Sequence, residues 1–155
     1  GLGRVFAGVG AGVGALALAA GAALAQTVET KQYEDGGVYE GTFLNGRQHG
    51  QGSYRLPNGY EYTGEWFEGE IRGQGRAVFP NGSVYEGEFT RGQHNGSGKL
   101  TNPSGYTYEG SWTLGVKDGT GKITYPDGAT YEGTLVQGQR AGRGKLTMPD
   151  GLIYQ

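Results

Sequence analysis

Carboxylates are the most numerous residues in this chain with chemistry to offer, and their spacing argues against catalytic use. Asp and Glu total 15. Among them Glu40, Glu86, Glu109 and Glu132 stand beside a tyrosine at one repeated offset. A paired acid/base site needs two carboxylates made different by their surroundings, and identical settings give the opposite. With no cysteine in the chain, a thiolate nucleophile and a thiolate zinc site are excluded. His49 and His94 fall ten and nine residues after their tyrosines. They read as surface-loop histidines with no nearby carboxylate to complete a triad or a metal site. The Gly-x-Gly pairs imitate a phosphate loop, but no helix follows to supply an N-terminus. The expectation is a non-enzymatic protein with no catalytic, metal or cofactor-binding residue. Asn81-Gly82-Ser83 and Asn95-Gly96-Ser97 match the N-glycosylation acceptor, which matters only in an exported eukaryotic protein.

What must position these residues is a strict period. Tyr39, Tyr62, Tyr85, Tyr108 and Tyr131 each follow the last by 23 residues, and Tyr154 lies one step further. A fixed period of this size signals a stacked array, whose repeated chemistry suits a binding or scaffolding surface. Glycine recurs two residues after each tyrosine (Gly41, Gly64, Gly87, Gly110, Gly133) and again seven residues after it, as in Gly46 and Gly69. A Gly-x-Gly follows, and then Pro57, Pro80, Pro103, Pro126 or Pro149, each two residues before a glycine.

Each unit therefore offers two short strands and two turns. The first strand is Val38-Tyr39-Glu40-Gly41-Thr42-Phe43 and its copies, with Tyr39, Gly41 and Phe43 on one face. The second follows the Gly-x-Gly, as in Arg76–Phe79. Pro-Asn-Gly and Pro-Asp-Gly are tight-turn signals, because proline presets φ and glycine supplies a positive φ. Glycine inside a strand is normally unfavourable, so the in-register copies imply a ring packed over bare backbone. Tyr39, Phe43, Tyr62, Trp66, Tyr85, Phe89, Tyr108, Trp112 and Tyr131 then form an aromatic row along one face. It reads as the core, with a carbohydrate- or base-stacking platform as the alternative. Arg76, Lys99, Lys122 and Lys145 recur after the Gly-x-Gly and suit a cross-strand ladder with the repeated glutamates.

The pattern Tyr-Glu-Gly-x-(Phe/Trp)-x-x-Gly-x-x-x-Gly-x-Gly resembles the MORN repeat over all five units, Tyr39 to Asp150. Departures are small: Thr63 replaces the acidic residue, and Leu135 replaces the aromatic in the fifth unit. The resemblance implies an all-β fold, in which β-hairpins stack into one elongated, twisted, single-layer antiparallel sheet. It also implies tethering of proteins, organisation of membrane-associated assemblies, dimerisation or binding of phospholipid headgroups.

Residues 1–25 differ in composition. Arg4 precedes an uncharged run from Val5 to Ala25, of which fourteen residues are Gly or Ala, ending in Ala23-Leu24-Ala25. This is the layout of a secretory signal cleaved near Ala25, giving a periplasmic or secreted protein. The run is also long enough to span a bilayer, so a membrane anchor over residues 5–25 is the alternative. Its hydrophobes, at about −0.3 to −0.6 kcal/mol each, make a weak stop-transfer signal. Residues 26–38 then form a lead-in, and residues 39–155 the repeat domain of five units and the start of a sixth. The charge is nearly balanced, 13 Lys and Arg against 15 acids, with a pI near 5.7. That argues against nucleic acid, which selects a basic stripe.

Two surfaces are candidates for partners. The segments between the two strands of a unit carry Arg47, Arg72, Arg91, Lys117, Arg140 and Arg143 against Glu68, Glu70 and Asp118. Their net of three positive charges, spread over five units, gives only weak attraction to anionic lipid. At the other candidate, Leu152, Ile153 and Tyr154 open a sixth unit without a polar cap. Either further repeats follow or this edge pairs with a second copy as an end-to-end dimer. The reading is a scaffold for protein partners or self-association, exported or anchored, with a peripheral lipid-binding module as the alternative.

Overall fold

The computed structural model describes residues 5–6 and 27–155. The run read as a signal or anchor lies, apart from Val5 and Phe6, outside the described residues. The described residues form one antiparallel sheet of thirteen strands in chain order. Strands β1 (Val5–Phe6) and β2 (Glu29–Gln32) precede five hairpins. These are β3 (Val38–Leu44) with β4 (Arg47–Arg55), β5 (Glu61–Phe67) with β6 (Glu70–Val78), and β7 (Val84–Thr90) with β8 (Gln93–Thr101). Then come β9 (Thr107–Thr113) with β10 (Val116–Thr124), β11 (Thr130–Val136) with β12 (Gln139–Thr147), and finally β13 (Ile153–Tyr154). No helix appears among the described residues, and every hairpin pairs with the next.

Two kinds of turn alternate. Within a hairpin, a two-residue turn holds both residues at positive φ, as at Asn45 (52°) and Gly46 (80°). This twist matches that of the flanking strands. Between hairpins, Pro57 and Asn58 are the central turn residues, the Gly59 N–H donates to the Leu56 carbonyl at 3.1 Å, and Gly59 sits at φ 102°. The Asn58 side chain accepts from the Tyr60 N–H at 2.9 Å, and Asp35, Asn81, Asp127 and Asp150 do the same in their copies. Units are also stapled at their tips: the N–H groups of Gly69, Gly92, Gly115 and Gly138 donate to the carbonyls of Gln48, Ile71, His94 and Lys117.

The second strand of each unit is longer than its sequence pattern suggests. It spans nine residues and begins before the Gly-x-Gly, as in β6 from Glu70 rather than Arg76. The reason is a bulge. In β5–β6, Gly64 opposes Gly75, while Trp66, two residues on, opposes Ile71. Gly73 takes up the excess at φ 86°, a conformation costly for other residues. The charged segments expected between the strands of a unit therefore lie mostly on strands, and the loops shrink to two residues.

Glycines face one another across the sheet, Gly41–Gly52–Gly64–Gly75–Gly87–Gly98–Gly110–Gly121–Gly133–Gly144. A Cβ on Gly75 would stand 2.5 Å from the Tyr62 ring, and one on Gly64 would stand 2.5 Å from the Gly75 Cα. Thus the ring covers the second-strand glycine, and the first-strand glycine answers to backbone across the ladder. Tyr39, Tyr62, Tyr85 and Tyr108 have no exposed surface. The sheet makes its second layer from its own rings.

Each hydroxyl is used as well. Tyr39, Tyr62, Tyr85, Tyr108 and Tyr131 donate to the carbonyls of Thr42, Glu65, Glu88, Ser111 and Thr134, at 2.7–2.9 Å. These carbonyls lie where the bulge interrupts the ladder, so the tyrosine replaces a bond the ladder omits. Trp66, Phe89 and Trp112 stand edge-on between successive tyrosines, Trp66 lying 5.1 Å from Tyr39 and 5.5 Å from Tyr62, and Phe43 stands edge-on to Tyr39. Leu135 takes the aromatic position in the fifth unit and is fully buried.

Candidate interaction surface

The nine residues of the aromatic row share one face. Rings of intermediate burial flank them on the proline-turn side: Tyr33, Tyr54, Tyr60, Phe79, Tyr106 and Tyr125. They pair with one another, Tyr60 tilted against Phe79 at 5.7 Å and Tyr106 edge-on to Tyr125 at 6.0 Å. No second sheet or helix packs on this face among the described residues.

On the hairpin-tip side the face is closed by a position nine residues after each tyrosine. Gln48, Ile71, His94, Lys117 and Arg140 oppose Phe43, Trp66, Phe89, Trp112 and Leu135. The offset was visible in the sequence, but the bulge that turns this position onto the rings was not. His94 sits on β8, not in a loop. Its ring stacks on Tyr85 at 3.7 Å with an interplanar angle of 1°, and Trp112 stands edge-on at 5.0 Å. Burial lowers its pKa from 6.5 to about 4. His49 likewise lies on β4, where its Nδ1 accepts from the Glu68 N–H at 3.2 Å. Burial also raises the tyrosines, with Tyr85 pushed up to about 12.

The six basic candidates do not form one edge. Arg91 occupies a hairpin tip at φ 49°, and Arg47 begins β4. Arg72 lies over Phe67 at 5.2 Å, while Arg143 stands on β12 on the opposite face. Lys117 and Arg140 belong to the aromatic face. The Lys117 ammonium donates to the Tyr106 hydroxyl at 2.8 Å and lies 4.7 Å from its ring centre, and the Arg140 guanidinium lies 5.6 Å from that of Tyr131. Beside Lys117, an open depression of about 370 Å³ is lined by His94, Leu100, Trp112, Gly115, Val116, Lys117 itself and Gly138.

The opposite face carries the charge ladder. Cross-strand partners run Arg76–Glu86–Lys99–Glu109–Lys122–Glu132–Lys145, alternating in sign over seven strands. Its closest pairs are Arg76–Glu86 at 3.8 Å and Lys122–Glu132 at 3.9 Å, all four side chains more than half exposed. Such pairs contribute about a few tenths of a kcal/mol each. The hairpin tips expose Leu44, Phe67, Leu114, Val116 and Val136. Beyond them Leu152, Ile153 and Tyr154 are more than half exposed, with β13 paired to β12.

A family model described as MORN repeat matches residues 39–59, 62–84, 85–105, 108–130 and 131–153. The chain belongs to the MORN-repeat family. Each MORN match takes in one hairpin and the tyrosine that covers its glycines. MORN repeats are protein- or membrane-interaction scaffold modules. No curated protein matches the chain. Among solved structures, the MORN array is similar to a mutant TCP10 domain of CPAP from Danio rerio. The two share 15% identity over 84% of this chain and 76% of that one, with a TM-score of 0.28. At that score the likeness carries no argument about fold or partner.

Proposed function

We propose that this MORN array is a non-enzymatic scaffold that holds a protein partner against its aromatic face. The observation that carries this reading is an apolar face with no second sheet or helix over it among the described residues. Half-buried rings line its proline-turn side in a row, which suits an extended chain laid across several units. Affinity capture tests the reading with three forms of the chain: wild type, Tyr60→Glu/Tyr125→Glu on the aromatic face, and Leu114→Glu/Val136→Glu at the tips. A partner lost only with the aromatic-face form supports the assignment, and one lost only with the tip form contradicts it.

The exposed apolar tips favour a second reading, a peripheral lipid surface along the hairpin edge. Liposome co-sedimentation at low and physiological salt separates it, because no dependence on anionic lipid at either salt removes it. For the edge at β13, we propose pairing with a second copy, supported by the exposure of Leu152, Ile153 and Tyr154. Equal monomeric mass by light scattering, with and without residues 150–155, would remove that dimer. Export or anchoring by residues 5–25 rests on the sequence layout, and N-terminal sequencing of the mature protein tests it.

A further inference from the structure

The two faces differ in the sign of the charge they carry. All 15 carboxylates lie in the described residues, and none in the five repeat units stands on the aromatic face. Glu40, Glu61, Glu65, Glu70, Glu86, Glu88, Glu109 and Glu132 alternate onto the opposite face. Glu68, Asp127 and Asp150 occupy turns, and Asp118 accepts from the Gln137 N–H at the next tip, 3.2 Å away. Glu29, before the units, shares the aromatic side with Lys31. Within the units the charges on the aromatic face are Lys117 and Arg140 alone, with His94 neutral beside them. Neither cation lies in an ion pair among the described residues. Both rest on tyrosine rings, one unit or about 10 Å apart, since two strands separate them.

Beside Lys117 lies the depression formed with Trp112, Leu100 and Val116; Arg140, one unit further on, does not line it. Its walls are apolar and Lys117 stands at its rim. A ligand matching both features combines a bulky apolar side chain with two carboxylates that follow it on one side, toward the fifth unit, at spacings reached along an extended chain.

We propose that the aromatic face over the third to fifth units binds an extended acidic segment of a partner protein, its carboxylates meeting Lys117 and Arg140 and an apolar side chain entering the depression beside Trp112. The proposal rests on the reading of this face as a partner surface and adds the partner's chemistry. It runs against the chain's overall charge, a net of −2, so attraction of a polyanion must come from a local site.

The test uses the full chain and a labelled random copolymer of glutamate and tyrosine, with binding read by fluorescence anisotropy. A lysine–tyrosine copolymer is the charge-reversed probe. Lys117→Gln/Arg140→Gln should weaken glutamate–tyrosine binding about tenfold or more, because two charge-assisted contacts go. Lys122→Gln/Lys145→Gln, with the same change of net charge on the opposite face, should change it less than about twofold. Lys117→Arg/Arg140→Lys, which keeps both charges, should stay within about threefold of wild type. Melting temperatures of all three variants establish that each is folded.

Equal weakening by the two neutralising pairs would overturn the proposal, and so would no binding of the glutamate–tyrosine copolymer. Stronger binding of the lysine–tyrosine copolymer, lost with Tyr60→Glu/Tyr125→Glu, would overturn it while leaving the aromatic face a partner surface. Phosphatidylserine vesicles that bind where the copolymer does not, through Lys117 and Arg140, would overturn it in favour of a lipid surface.

Discussion

On one side of this sheet, Tyr62 lies over Gly75, buries its hydroxyl against the Glu65 carbonyl and touches Trp66 and Phe89. On the other side the same two strands present Thr63, Arg76 and Gln74 to water. Both faces obey one 23-residue period, yet the period means different things on each. On the aromatic face it is a steric rule, because a ring and a backbone occupy the space that any Cβ would need. On the charged face it is a pattern of exposed pairs, each weak and separately replaceable. A repeat in sequence is thus no measure of energetic importance; the neighbours of each position decide that.

The largest effect expected is alkaline collapse of the aromatic face. Tyr39, Tyr62, Tyr85 and Tyr108 all have pKa values raised above 10, chiefly by burial, Tyr85 to about 12. A raised folded-state pKa gives stability that is complete below pH 10 and is lost as pH rises through 10 to 12. Thermal unfolding followed against pH should show a steep fall there. An ultraviolet titration in which these phenols ionise near 10 in the folded chain would contradict the packing.

Next comes a contrast between neighbours on one strand. Gly75→Val forces a branched side chain into the Tyr62 ring and should cost about 3 kcal/mol, the upper range for overpacking. Gln74→Val, one residue away on the other face, should stay within about 0.5 kcal/mol. Urea unfolding midpoints compare the two, and equal costs would erase the distinction between the faces.

Tyr62→Phe removes a hydroxyl and keeps the ring. The Glu65 carbonyl at the bulge then loses its donor, at a cost of about 1–2 kcal/mol. A wild-type midpoint would mean that water replaces the phenol there.

A further effect, confined to acid pH, concerns His94. Its folded pKa of about 4 lies below its ordinary 6.5, so the unfolded chain takes up the proton first. Stability is complete above pH 6.5, falls as pH drops toward 4 and levels below that. Subtracting the curve for His94→Gln removes the carboxylates that titrate in the same range. A flat difference between pH 7 and 4 would place His94 in water.

Much of this was legible in the sequence. The tyrosine spacing and the Pro-x-Gly turns indicated hairpins, and alternation put Tyr39, Gly41 and Phe43 on one face. Opposite charges at Glu86 and Lys99 indicated the ladder. What escaped was the bulge, because Gly-x-Gly reads as a break between strands when Gly73 in fact bends a continuous one. That error placed His94, Lys117 and Arg140 in loops. Once the strand is continued through the bulge, the position nine residues after each tyrosine turns onto the rings. Lead-in residues Glu29–Gln32 were a second omission, since their turn, Glu34-Asp35-Gly36, lacks the proline that marked the others.

The central claim is that the aromatic face holds the fold and the charged face does not. Replacing Arg76, Glu86, Lys99, Glu109, Lys122, Glu132 and Lys145 together by threonine tests it most directly, by urea unfolding beside the single variant Gly75→Val. With each exposed pair contributing about a few tenths of a kcal/mol, the sevenfold variant should lose less than the single glycine variant. It should also unfold in one cooperative step. A sevenfold variant less stable than Gly75→Val would show that the ladder holds the array together, and the account would be wrong.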